Sequence, residues 1–367
     1  MLIQSKCKQY SPLEVNLEYI SNLAFEELGQ RPFRWQLEAT SAILTGNDVV
    51  LDVGTGCGKS LCFLLPLLLS KSDISLTVSP LTALMIDQVR VLPNIVSHIP
   101  ISYYPCFERR VQQKSRLLQF VRKLYLRWVL TASTRYDTIL FKYSVSESKI
   151  SQDIVEVKFR QVIVSPEIAT STDFHRAVTS KVMFTDCLRV VNIDEAHCIN
   201  IWGGSFRPDY SELGILRGRI PKNVPFLLAS ATLPEHVLDD IRLKLQLPKN
   251  VKMVRLTNAR PNVALSVRAM QKPEKSMGDL RFLIPLDATK ADDIKITLVY
   301  CNQRAVTEDG ADYARDWAEE HNIPRESIAF YHALIGAERK RSIEDMLARG
   351  EIRILFCTDA VGMVSIS

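Results

Sequence analysis

The chain has 367 residues, 47% hydrophobic and 24% charged, enough to bury a sizeable core, and its length suggests two domains. The formal net charge of +5 is mildly basic, which suits a polyanionic partner without requiring one. Eight cysteines are scattered with no CxxC pair and no histidine at metal-ligand spacing, so the thiols read as reduced ones of an intracellular protein and no structural zinc is expected.

In chain order, the opening "MLIQSKCKQYS" lacks the long apolar stretch of a signal peptide, and residues 1–29 read as an N-terminal tail. Short apolar, β-branched runs then alternate with helical patterns. They are "DVVLDV" (48–53), "SLTVS" (75–79), "QVIVS" (161–165), "RVVNID" (189–194), "PFLLAS" (225–230), "IKITLVYC" (294–301), "SIAFYH" (327–332) and "IRILFC" (352–357). Continuous apolar strands separated by helices imply parallel sheets covered on both faces, so the fold class is α/β. The ten-residue run "LCFLLPLLLS" is too short to span a bilayer and reads as a core helix, so no membrane is expected.

Between about 246 and 290, prolines 248, 261, 273 and 285 interrupt the pattern among clustered charges. A boundary there gives a first lobe over 30–250 and a second over 251–367 with three strands. The stretch near 105–150 fits neither lobe. It carries Arg109, Arg110, Lys114, Arg116, Arg122, Lys123 and Arg127 with little acidic counterweight and no strand alternation. It reads as a nucleic-acid contact or as a solvated helical insertion.

The first clear chemistry is "DVVLDVGTGCGKSLCFLLPLLL". A buried strand ends at Val53, the loop Gly54, Thr55, Gly56, Cys57, Gly58, Lys59, Ser60 follows, and an apolar helix is expected from Ser60. Glycines let the backbone curl so that successive N–H groups face phosphate oxygens, and the start of a helix adds partial positive charge. Lys59 is placed to reach the β- and γ-phosphates of ATP, and the Ser60 hydroxyl to ligate Mg²⁺. Val53 stands where the strict pattern has its first glycine. Such a loop needs a carboxylate at the end of a neighbouring strand, and "RVVNIDEAHC" supplies Asp194 for the metal and Glu195 to orient and deprotonate water. His197 is placed to report the phosphate state to its neighbours.

"GTGCGKS", "IDEAHC" and "WGGSFRPDY" together resemble a RecQ-type DNA helicase of superfamily 2, of the DEAH-box kind. The resemblance implies two RecA-like lobes, the first complete and the second partial, and an ATP-dependent 3′–5′ helicase acting on single-stranded or forked DNA in the nucleus. "RPFRWQ" (31–36) resembles the adenine-recognition motif, which gives Arg34 a stacking role and Gln36 a hydrogen-bonding one. "VSPLTALMIDQV" (78–89), with Ser79 and Pro80, resembles the motif that contacts the DNA backbone. "ASAT" (229–232) implies that Ser230 and Thr232 couple hydrolysis to strand movement, and "ARPN" (259–262) opens the passage to the second lobe.

In "CINIWGGSFRPDY" the resemblance gives Trp202 and Phe206 base-stacking roles and Arg207 a phosphate contact, with Ile201 where the family usually has glutamine. "VYCNQR" (299–304), "YHA" (331–333) and "CTDAVGM" (357–363) fall in the family's order, the last with Thr358 and Asp359. After Met363 the sequence departs from that pattern, and the arginines the family places beyond it have no counterpart before residue 367. Unwinding by this chain is therefore not expected. Two other readings stand beside this one: a DEAH-type RNA helicase or translocase, and a non-catalytic remnant that binds ATP or nucleic acid.

Overall fold

The computed structural model describes residues 5–80, 138–141, 148–201, 208–249, 251–259 and 261–358. The chain divides into two compact units, Met1–Arg260 and Pro261–Ser367.

The first unit opens with helices α1 (Leu17–Leu28) and α2 (Arg34–Leu44). Its strands are β1 (Val49–Asp52), β2 (Ile74–Val78), β3 (Thr138–Phe141), β4 (Gln161–Val164), β5 (Leu188–Ile193), β6 (Phe226–Ser230) and β7 (Lys252–Arg255). They form one sheet in the order β3-β4-β2-β5-β6-β1-β7, and every pairing is parallel. β2, β4, β5 and β6 are buried at every residue, as expected of apolar runs covered on both faces.

Three parts of this unit differ from the sequence expectation. Residues 5–29 are not a free tail. Asn16 caps α1 by accepting the N–H of Tyr19, and Gly29 closes the helix at φ 71°. Ile20 packs on Leu37 and Leu44 of α2. Further upstream, Arg189 Nη1 donates to the carbonyl of Lys8 at 2.6 Å and its Nε to Asp73 Oδ2 at 2.6 Å, an ion pair with both side chains under 5% exposed.

The second difference is at the boundary. β7 pairs with β1 in the first sheet, so that unit runs past residue 250 to Arg260. In "KMVR" only Val254 is buried, because an edge strand needs one apolar side, and the charged ends hide the strand from a pattern search. Likewise β3 lies inside the 105–150 stretch, where four residues are too few to show alternation. Residues 105–137 and 142–147 of that stretch lie outside the described residues.

Third, the apolar helix expected after the phosphate loop is two short 3₁₀ segments, Lys59–Phe63 and Leu65–Leu67. Pro66 has no N–H to bond the carbonyl of Cys62, its ring crowds that carbonyl, and it disfavours the α region for Leu65. Cys62, Phe63, Leu64, Leu65 and Leu67 are nonetheless buried, so the core role holds.

In the second unit β8 (Thr297–Tyr300), β9 (Ile328–Tyr331) and β10 (Ile354–Cys357) form a parallel sheet in the order β8-β10-β9. Helix α3 (Arg304–Glu320) buries Thr307, Gly310, Ala311, Ala314 and Ala318, a stripe of small residues at helical spacing. A Cβ on Gly310 would stand 2.6 Å from the ring of Phe356, so only glycine allows this approach of helix to strand.

Candidate functional site: the carboxyl edge of the first sheet

Because all strands of the first sheet run one way, every loop that leaves a strand's carboxyl end lies on one edge, where open α/β sheets bind ligands. β5 ends in Asp194, Glu195, Ala196 and His197, β6 in Ser230, and β1 runs into Gly54–Ser60. β5, β6 and β1 are consecutive in the sheet.

The phosphate loop is shaped by two left-handed glycines, Gly56 and Gly58, both at φ 83°. A Cβ on Gly58 would come within 3.0 Å of Gln36 Nε2, and one on Gly54 within 2.8 Å of Asn258 Oδ1. Lys59 Nζ donates to the carbonyls of Val53 (2.9 Å) and Gly54 (3.3 Å), which holds the ammonium over the start of the loop. Ser60 is exposed beside it.

Gln36 is 2% exposed and both ends of its amide are committed. Oε1 accepts the N–H of Phe33 at 2.7 Å, and Nε2 donates to the carbonyl of Gly58 at 2.9 Å. The segment expected to recognise adenine is thus bonded directly to the phosphate loop. Arg34 is not part of that link. Its side chain is 90% exposed and pairs with Glu38 at 3.0 Å.

Asp194 is 7% exposed and is fixed through its N–H to the carbonyl of Val78 (2.9 Å), while its Oδ1 accepts the N–H of Glu195 at 3.0 Å. Glu195 takes a positive φ of 47°, uncommon for a non-glycine residue and frequent at working sites. His197 Nδ1 faces two acceptors, Glu195 Oε2 at 3.2 Å and Ser230 Oγ at 2.9 Å. Ser230 Oγ in turn lies 3.0 Å from the carbonyl of Thr232 and 3.3 Å from its nitrogen. A hydroxyl that donates to Thr232 keeps a lone pair for an Nδ1–H of His197. The end of β5 and the end of β6 are therefore joined through one imidazole, and the part of Thr232 that takes part is its backbone.

Ser79 is fully buried, its N–H donates to the carbonyl of Val164, and its hydroxyl meets no partner among the described residues. Pro80 follows it on the same edge. Thr358 belongs to the second unit, where its N–H bonds the carbonyl of Tyr331 at 3.2 Å. Trp202, Phe206, Arg207 and Asp359 lie outside the described residues. Among the described residues no three His, Cys, Asp or Glu side chains converge to hold a metal ion, and no helix is long and apolar enough to cross a membrane. Sequence reasoning passed over Asn258, whose Nδ2 donates to the carbonyl of Ala231 at 2.5 Å; no pattern of residue types marks a side chain whose partner is a backbone carbonyl.

Residues 33–168, which carry the phosphate loop, match the model of the DEAD/DEAH box helicase family. These residues carry a DEAD/DEAH box helicase domain. Its curated relatives are of RecQ type. The chain is 30% identical to the ATP-dependent DNA helicase Q-like 2 of Arabidopsis thaliana over 89% of its own length and 40% of that protein. It is 28% identical to the ATP-dependent DNA helicase RecQ of Haemophilus influenzae over 91% of its length and 45% of that protein. It therefore spans less than half the length of these relatives. Among solved structures, the DUF1998 helicase MrfA bound to DNA and AMPPNP shares the fold with a TM-score of 0.60 at 16% identity, covering 100% of this chain and 47% of that one.

Proposed function

We propose that the first unit binds ATP with Mg²⁺ and that the chain is the motor part of a RecQ-type helicase that moves 3′ to 5′ on single-stranded or forked DNA. The observation that carries this reading is the placement of the phosphate loop, Ser230 and the Asp194–His197 cluster at the carboxyl ends of three neighbouring parallel strands.

The residues suit the nucleotide. Gly54 and Gly58 leave room where a Cβ would collide, so the backbone N–H groups of the loop can close on phosphate oxygens. Lys59 exchanges its two carbonyl partners for β- and γ-phosphate oxygens, a charge-assisted contact stronger than the neutral ones it gives up. Ser60 and Asp194 would hold Mg²⁺, which supplies neutralisation of the charge that builds on the phosphates. Glu195 takes the proton of the attacking water on its carboxylate, and His197 passes the change at Glu195 to Ser230. Trp202, Phe206 and Arg207 contact the strand, with each stacked base contributing about 1–3 kcal/mol. The names of the relatives, and the DNA bound to the structural neighbour, favour DNA as the track.

Titration of the purified chain with a fluorescent ATP analogue and Mg²⁺ tests the nucleotide half. Lys59→Ala is expected to weaken binding by about 10- to 100-fold, the equivalent of one charged hydrogen-bonding group at about 1.5–3 kcal/mol. Equal affinity of variant and wild type would overturn it. Stimulation of ATP turnover by single-stranded DNA over RNA of the same length supports the DNA reading, and the reverse order would replace it with an RNA translocase.

A further inference from the structure

Beyond the site residues themselves, one stretch touches both the phosphate loop and the segment after β6. After β7 the chain passes through residues 256–259 before the second unit begins at Pro261. This connector grips the entry of the phosphate loop at successive points. The N–H of Leu256 donates to the carbonyl of Asp52 at 3.0 Å, and the Leu256 side chain packs in the same apolar cluster as Val53 and Cys57. Arg255 reaches the Asp52 carboxylate at 3.6 Å and Glu235 at 2.8 Å.

Asn258 is placed most tellingly. Its Nδ2 donates to the carbonyl of Ala231, between Ser230 and Thr232, which orients the amide. Its Oδ1 then faces Gly54, close enough that a Cβ there would stand 2.8 Å away. One side chain thus bridges the segment after β6 and the first glycine of the loop, three residues before the second unit. Gly54 is also the residue whose carbonyl holds Lys59.

We propose that Asn258 is a positioning residue that couples the state of the phosphate loop to the segment entering the second unit. The inference rests on the reading of the loop as an ATP site. When Lys59 turns from the carbonyls of Val53 and Gly54 to phosphate, the Gly54 peptide loses a cationic partner and is free to reorient. Asn258, held on the other side by Ala231, is the contact through which that change reaches residues 257–259. Any shift at Ser230 driven by His197 moves the neighbouring Ala231 carbonyl and arrives at the same amide. By linkage, a nucleotide that orders the connector binds more tightly to a connector already ordered, by the same factor.

Hydrogen exchange of peptides covering 252–262, with and without a non-hydrolysable ATP analogue and Mg²⁺, reads this coupling directly. In the wild-type chain the analogue is expected to slow connector exchange by about fivefold, the lower range of typical coupling. In Asn258→Ala, and in Asn258→Asp, which cannot donate to Ala231, connector exchange should be the same with and without analogue, and the analogue's affinity should weaken by up to about fivefold. Asn258 is exposed, so neither variant threatens the core. A role confined to stability would speed exchange equally in both states and leave the analogue's effect intact. Persistence of the slowing in both variants, or a connector unmoved in a wild-type chain that binds the analogue, overturns the inference alone. A wild-type chain that fails to bind the analogue overturns the nucleotide reading and this inference together.

Discussion

The two sheets of this chain are built from the same parallel strand but are held in different ways. In the first, β2, β5 and β6 have neighbours on both sides and no exposed residue, and a buried Arg189–Asp73 pair ties the N-terminal segment to them. In the second, β10 alone lies between two strands, and β8 is half-buried at best. There a helix packs close on the central strand, with Gly310 against Phe356. The first sheet gains its rigidity from redundancy, which suits a surface that must hold several loops in register. The second has fewer strands and a close helix-to-strand approach at its centre, so a small change there should be felt more than its size suggests.

The comparison can be broken most forcefully at Asp73. Asp73→Ala leaves the Arg189 guanidinium buried and unpaired, and is expected to cost the first unit about 3–5 kcal/mol in urea unfolding while the exchange protection of β8–β10 stays unchanged. Loss of protection in both sheets would show that they do not fold as separate units.

Gly310→Ala is the matching change in the second unit, and two effects oppose each other. Alanine favours a helix over glycine by about 1 kcal/mol, but the methyl would collide with a ring that is fully buried in Phe356. Overpacking of that kind costs about 1–3 kcal/mol, so net destabilisation of the second unit is expected, read as faster exchange in β10. A stabilised variant would mean that helix and strand can separate freely.

A smaller effect reports on the same N-terminal tie. Burial, with the Asp73 carboxylate beside it, pushes the Cys7 thiol up to about 12. The folded chain therefore favours the neutral thiol. That contribution is intact below the thiol's ordinary value near 9 and is lost as pH rises through about 12. Alkylation of Cys7 at pH 8 should be slow in the wild type and faster in Asp73→Ala, and the drop in stability above pH 9 should be shallower in Cys7→Ser than in the parent.

Much of this architecture is legible in the sequence because a doubly covered strand has to be apolar throughout. "LRVVNI" and "FLLAS" could hardly be anything else, and each delivers its chemistry at the carboxyl end. The loop "GTGCGKS" is equally plain, since phosphate binding restricts both backbone and side chain. What escaped are elements whose requirement is weaker or nonlocal. β7 needs only Val254 inside, and α1 hides Ile20, Ala24 and Leu28 within a segment that starts near the terminus. Asn258 is specified by the carbonyl of Ala231, 27 residues away, and a carbonyl leaves no trace in a string of side chains.

Pro66 has one more consequence. A long α-helix after the loop would present about half a unit charge at its start, summed over aligned peptides. Two short 3₁₀ segments broken near Pro66 present less, so attraction for a polyphosphate falls more heavily on the single ammonium of Lys59. A point charge near an exposed loop is screened over about 8 Å at physiological salt, whereas a buried peptide array is screened much less. Occupancy of this loop should therefore track ionic strength, and the electrolyte around the protein becomes part of what sets its duty cycle.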